Sequence, residues 1–140
     1  GEAAELGVLV EAARARSAPE ATAAHVVGTY GSEWAAVLNL ADRDRRLAEP
    51  IVPGRPEIWA EVAHAVEREM ALRLSDLLIR RIHVFYEDPG HGTAAALAVA
   101  RRMGELLGWD EPRVEDEVGG YLDAVRRMRS FMKDLPRRSS

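Results

Sequence analysis

Trp59, Val62, Val66, Met70 and Leu74 recur at spacings of three and four, a period that lays them along one side of an α-helix and would scatter them over both faces of a strand. The same period returns along most of the chain. Leu6, Leu9, Val10 and Ala13 predict a helix within residues 1–18. Ala23, Val26 and Val27 predict a second, reaching Tyr30, and Trp34, Val37, Leu38 and Ala41 a third. Further on, Leu97, Ala100, Met103 and Leu107 would face inward from one helix, and Val114, Val118, Tyr121, Leu122, Val125, Met128 and Met132 from the last.

Glycine, proline and capping residues divide these stripes. Pro19 restarts the chain, since proline is best tolerated in the first turn of a helix. Gly31 can end a helix in a left-handed conformation, and Ser32 is placed to cap the next. Asp42 to Pro56 carries a run of charges and then Pro50, Pro53, Gly54 and Pro56, which predicts an irregular, Pro-rich connector. Ser75 or Asp76 could cap a new segment bearing Leu77, Leu78 and Ile82, so the long central pattern should bend there. Val84-Phe85-Tyr86 is too short for its period to be assigned, and Glu87 to Gly92 reads as a loop. Gly108 stops the next helix and Asp110 caps the last. Gly119-Gly120 costs that helix about 1 kcal/mol per glycine, which suggests a kink or a close neighbour.

These elements imply an all-α fold, a compact orthogonal array of about five to seven helices, in a single domain over residues 1–140. Its parts are an N-terminal helix (1–18), a core (19–135) and a flexible tail (136–140). A chain of 140 residues is long enough to bury roughly two thirds of its unfolded surface around one core. The net charge of −4 disfavours nucleic acid and anionic lipid as partners. Lys133 is the only lysine, so the basic groups are nearly all arginine, which suits ion pairs at packed surfaces. Without cysteine there is no thiol nucleophile or disulfide framework. No apolar run is long enough to span a membrane and the first residues lack the pattern of a secretory signal, so the expected location is cytoplasmic.

Few residues invite a chemical reading. Glu61-x-x-His64 has the spacing of half a carboxylate-bridged di-metal site, but His25, His83 and His91 have no glutamate three residues upstream to complete it. The serines lack a Gly-x-Ser-x-Gly elbow, and Gly90-His91-Gly92 is too short for a dinucleotide loop. Helix, Tyr30-Gly31-Ser32 turn, helix imitates a DNA-binding motif, yet Glu33 to Ala41 offers no arginine or lysine for phosphate or guanine. No catalytic, cofactor-binding or metal-ligating residue is therefore expected. Glu61, Glu69, Arg80 and Arg81 are the polar residues expected to hold fixed partners, with Glu69 able to pair with Arg73 one turn on. Phe85 and Tyr86, with Val84, would form an apolar patch that needs covering.

The ordered motifs Ala60-Glu61-Val62, Ala65-Val66, Glu69-Met70-Ala71 and Leu74-Ser75-Asp76-Leu77-Leu78-Ile79-Arg80-Arg81, with Gly108-Trp109-Asp110, Glu117 and Tyr121 downstream, resemble the C-terminal helical domain of FAD-dependent glycerol-3-phosphate dehydrogenases and the related glycerophosphate oxidases. The likeness runs from about His25 to Phe131. It departs at His64, where such proteins usually have tyrosine, at Glu67, where a basic residue is common, and at Arg73 and Ile82, where threonine is usual. The resemblance implies a non-catalytic cap of a flavoenzyme that oxidises sn-glycerol 3-phosphate to dihydroxyacetone phosphate and passes electrons through FAD to a quinone. It further implies that FAD and substrate belong to an N-terminal domain, the cap's partner. A homodimer and a parent peripheral on the cytoplasmic membrane are compatible expectations. The competing class is a stand-alone helical interaction module, and a third is a small metalloenzyme built on Glu61 and His64.

Overall fold

The computed structural model of the chain describes residues 19–68, 72–82 and 89–134, and there the all-α expectation is borne out: six α-helices and no strand. The expected helix over 1–18, the tail 136–140, Glu69 and Val84-Phe85-Tyr86 lie outside the described residues, as do the side chains of Arg80 and Arg81. The described elements fall into two units, Gly1–Leu72 and Arg73–Ser140.

In the first unit, Pro19 with φ −56° precedes α1 (Glu20–Tyr30) and its carbonyl accepts from the Ala23 amide. Gly31 ends α1 at φ 55°, a backbone that glycine adopts at little cost. A 3₁₀ turn, Gly31–Glu33, leads directly into α2 (Trp34–Arg43). Ser32 does not cap α2 as expected: Glu33 occupies the cap position, and the Trp34 amide bonds the Gly31 carbonyl, so the tight turn itself satisfies a donor. Ala23, Val26 and Val27 of α1 meet Val37, Leu38 and Ala41 of α2 in one core with Ile58 and Ala60.

The expected irregular connector is more closed than its composition suggests. Asp44 starts a 3₁₀ turn, Arg45–Ala48, by accepting from the Arg46 amide at 3.0 Å. The chain then runs out and back through one antiparallel bridge, Pro50 to Ile58, with Ile51 N–H bonded to the Glu57 carbonyl and Trp59 N–H to that of Glu49. Ile51, Val52 and Ile58 are buried by this closure. The third helix, α3 (Ala60–Arg68), buries every residue from Ala60 to Val66, including Glu61 and His64. It is described as far as Arg68, and Leu72 and Arg73 are not helical, so the apolar stripe that predicted one long helix crosses a break: Arg73 is extended (φ −101°, ψ 153°) and Leu74 opens a new element.

The second unit begins with that element, α4 (Leu74–Leu77), which passes into a π-helical turn, Leu78–Ile82. Leu74, Leu77, Leu78 and Ile82 are all buried. The break comes before Leu74 rather than at Ser75 or Asp76, and neither of those residues caps the new element; Arg73 holds the cap position without a side-chain bond. Next, α5 (Pro89–Leu107) is already helical at positions 89–92, which the sequence assigned to a loop. Its buried face is Ala95, Ala96, Val99, Ala100 and Met103, whereas Leu97 is 37% exposed, contrary to expectation. Small residues explain the rotation: Ala96, Ala100 and Gly104 repeat every fourth residue and leave room for α6 (Glu111–Asp134). A Cβ on Gly104 would stand 3.2 Å from Val114 Cγ2.

Gly108 ends α5 at φ 78°, and both its amide and that of Trp109 reach the Gly104 carbonyl, at 2.8 and 3.0 Å. Asp110 caps α6 as expected, accepting from Arg113 N–H at 2.9 Å. On α6, Val114, Tyr121 and Val125 are buried while Val118, Leu122 and Met128 are half-buried. Gly119 and Gly120 depart from expectation: α6 runs unbroken through them, and a Cβ on either would meet nothing within 4 Å. They weaken the helix without serving a close contact among the described residues. The double change Gly119→Ala, Gly120→Ala should therefore raise stability by about 1–2 kcal/mol, and Gly108→Ala should lower it by about 1 kcal/mol because its φ is positive. Urea unfolding of the three proteins reads both signs.

Candidate functional site

Among the described residues three glutamates are buried, and two of them, Glu61 in the first unit and Glu117 in the second, are each used at the start of a helix. Glu61 is fully buried and accepts three hydrogen bonds. Its Oε2 takes the Ile58 amide at 2.7 Å. Its Oε1 takes His25 Nε2 at 2.7 Å and the Tyr30 hydroxyl at 2.9 Å, both from α1. The Ile58 bond has a local cause. The first turn before α3 closes from Glu61 N–H to the Ile58 carbonyl, and the Glu61 carboxylate returns to the Ile58 N–H, one half of a capping box. The bonds to α1 have no local cause, being 36 and 31 residues away. Glu61 thus joins two helices and a connector.

The surroundings of Glu61 are charged as well. Glu57 is buried, and its Oε1 accepts from Arg55 at 2.7 Å, while its Oε2 is buried without a hydrogen-bond donor among the described residues. Burial works against a charge on His25, but the hydrogen bond and charge of Glu61, helped by the charge of Glu57, outweigh it and the opposing charge of Arg55, so its pKa lies above the ordinary 6.5. His64 packs edge-on against the Tyr30 ring, centroids 5.4 Å apart. Glu61 and His64 are not brought together as metal ligands, and among the described residues no three His, Asp or Glu side chains form a group able to hold a metal ion.

Glu117, in the second unit, does the same for α4. Leu74 is buried, and no local side chain caps its amide. Glu117 Oε1 accepts that N–H at 3.0 Å from α6. Its Oε2 accepts from Arg113 Nε at 3.0 Å and Arg73 at 3.2 Å. Arg113 lies also over the Trp109 ring, 4.9 Å from its centroid. Arg73, read from the sequence as a partner for Glu69, is held by Glu117. Burial pushes the Glu117 carboxyl up, but the Leu74 amide, the Arg113 bond and the two guanidinium charges more than reverse this and hold it below the ordinary 4.5. One turn on, burial pushes the Tyr121 phenol up to about 12, only partly countered by Arg129, so it stays protonated at physiological pH.

Of the six residues singled out from the sequence, Glu61 alone has its side chain among those described, and it does hold fixed partners. Sequence reasoning missed His25, Tyr30 and Glu57. Glu117 had a signal of its own: it stands three residues after Val114 and four before Tyr121, a charge on an apolar stripe.

Because the folded pKa of Glu117 is depressed, its contribution is present above about 4.5 and lost as pH falls through the folded value. Glu117→Gln should cost about 1–3 kcal/mol at neutral pH, most of it from the uncompensated buried site rather than from the exposed ends of the two arginines. The variant should also lose less stability than the parent protein on acidification, which urea unfolding at neutral and acidic pH measures.

A family model described as the C-terminal domain of alpha-glycerophosphate oxidase matches residues 3–114. Glycerol-3-phosphate dehydrogenase 2 of Mycobacterium tuberculosis is 35% identical over 101 residues, covering 72% of this chain and 17% of that protein. Glycerol-3-phosphate dehydrogenase of Mycobacterium leprae is 36% identical over 97 residues, 69% of this chain and 17% of the relative. The protein of the same name from Synechocystis is 28% identical over 97 residues, 69% and 18% respectively. The chain thus spans less than a fifth of the length of these relatives. No solved structure matches it. With a family match over most of its length, including the Glu61 site, the chain belongs to the family of C-terminal domains of alpha-glycerophosphate oxidase.

Proposed function

We propose that this chain is the non-catalytic C-terminal domain of an FAD-dependent glycerol-3-phosphate dehydrogenase, serving as a helical cap in contact with the remainder of its parent. The observation that carries the reading is the family match to a C-terminal domain, made by a chain that spans 17–18% of relatives named glycerol-3-phosphate dehydrogenase. The use of the buried carboxylates supports it. Glu61 and Glu117 accept bonds from helix starts and from side chains of their own unit, as groups that hold a fold do.

In this proposal the parent oxidises sn-glycerol 3-phosphate to dihydroxyacetone phosphate, with FAD relaying electrons to a quinone. The flavin is assigned to the rest of the parent. Among the described residues there is no strand leading through a glycine-rich turn into a helix, the arrangement that cradles a dinucleotide. No described helix is long and apolar enough to cross a membrane. Arg80 and Arg81 are proposed as rim contacts, and Phe85 and Tyr86 as anchors, of the surface facing the N-terminal FAD and substrate domain or a second copy.

The isolated chain should retain no stoichiometric flavin and show no glycerol-3-phosphate-dependent dye reduction. In the whole enzyme, Arg80→Ala with Arg81→Ala should weaken assembly, seen by sedimentation and thermal melting, more than turnover of the assembled fraction. An equal loss of turnover in enzyme that stays assembled and flavin-loaded would place those arginines in the chemistry instead. A complete reading frame without a dinucleotide-binding domain would favour the stand-alone module.

A further inference from the structure

The Glu61 cluster contains two buried carboxylates, Glu61 and Glu57, and two cationic partners of unequal kind. Arg55 carries its charge at any physiological pH. His25 does not. With His25 protonated, two negative charges face two positive ones; with His25 neutral, one buried negative charge is left without a counter-charge in the cluster. With both carboxylates ionised, the cluster is balanced only when His25 carries its proton.

We propose that His25 is a proton-operated clamp that holds α1 against the start of α3 when charged and lets α1 open locally when neutral. The geometry puts the clamp at a joint. His25 and Tyr30, both on α1, meet the same Glu61 oxygen, and α1 is followed by Gly31, whose positive φ allows the backbone to turn. The His25 side chain is 15% exposed, so a proton can reach it. Its other ring nitrogen lies 3.3 Å from Thr29 Oγ1. That hydroxyl can accept from the imidazolium or donate to neutral imidazole, so the ring need not turn over when it titrates. The charge, rather than a bond, is what changes.

Among the described residues, the groups acting electrostatically on His25 are Glu61 on α3 and Glu57 and Arg55 in the connector. Tyr30 and Thr29 flank it on its own helix, and His64 on α3 lies across the Tyr30 ring. The other helix packed on α1, α2, contributes the apolar Val37, Leu38 and Ala41. The sign follows from linkage. The folded pKa of His25 is raised, so its contribution is fully present below about 6.5 and is lost as pH rises through the folded value.

The test is an NMR titration of the His25 ring together with hydrogen exchange of the α1 amides, corrected for the intrinsic pH dependence of exchange. Protection of Val26 and Val27 should fall several-fold across the His25 titration, with a midpoint above 6.5, while the core amides of α5 and α6 keep theirs. His25→Gln, which can still donate to Glu61 but carries no charge, should show low α1 protection at every pH and no step. A His25 midpoint at or below 6.5, or α1 protection unchanged across the titration of the wild-type chain, would overturn the proposal without recourse to the variant. So would a step of undiminished size in a folded His25→Gln protein, which would assign it to another group. None of these outcomes depends on the parent's activity.

Discussion

A buried carboxylate is tolerable only where the fold supplies donors, because stripping its water costs several kcal/mol. This chain meets that condition twice in the same way, by placing a glutamate against the backbone N–H that opens a helix. The N–H also needs a partner, since the first amides of a helix have none within it. Ile58 and Leu74 are buried residues whose cap positions hold no serine, threonine, asparagine or aspartate. Two deficits thus cancel. The breaks flanking α3 depend on this pairing, because a helix restarted inside the protein without it would leave an amide with neither water nor acceptor.

The helices themselves were legible because they rest on local period. The three-four spacing located α1, α2, α3, α5 and α6, and Gly31, Gly108 and Asp110 act where their chemistry says they should. What the period could not supply was the break between α3 and α4. The α3 stripe continues in register through Met70 to Leu74, but the chain breaks before Leu74, and the partner that makes the break affordable, Glu117, lies 43 residues away. Ser32 and Ser75 misled for a related reason. A capping residue is a local candidate, and at both sites the donor is satisfied otherwise, by a 3₁₀ bond at Trp34 and by a distant carboxylate at Leu74. The face of α5 was misread because size matters as well as hydrophobicity: Ala96, Ala100 and Gly104 admit a close helix where Leu97 would hold it off.

The candidate site was half visible. Glu61 stood out through the resemblance, and its local role could have been read from Ile58-x-x-Glu61 ahead of a helix. Its ties to His25 and Tyr30 could not, since nothing in the spacing of α1 points to α3. The same long-range ties bear on function. A carboxylate that acts on a substrate needs an oxygen turned toward it, whereas both oxygens of Glu61 and of Glu117 already accept bonds from their own unit. These groups are committed to holding helices in register, in keeping with a family defined as a domain of a larger enzyme.

The two sites share a plan and differ in the partner, and the difference sets their response to protons. Glu117 is paired with arginines, which keep their charge, so only loss of its own charge in acid can unbalance it. Glu61 is paired with a histidine, so its balance is disturbed from the other side, when the base loses its proton. Two helix starts built from the same carboxylate-to-amide bond thus respond to opposite changes of pH, one to a fall into acid and the other to a rise through the raised pKa of His25. The identity of one cation, rather than the depth of burial or the number of hydrogen bonds, decides which half of the chain is tied to acid and which to neutrality.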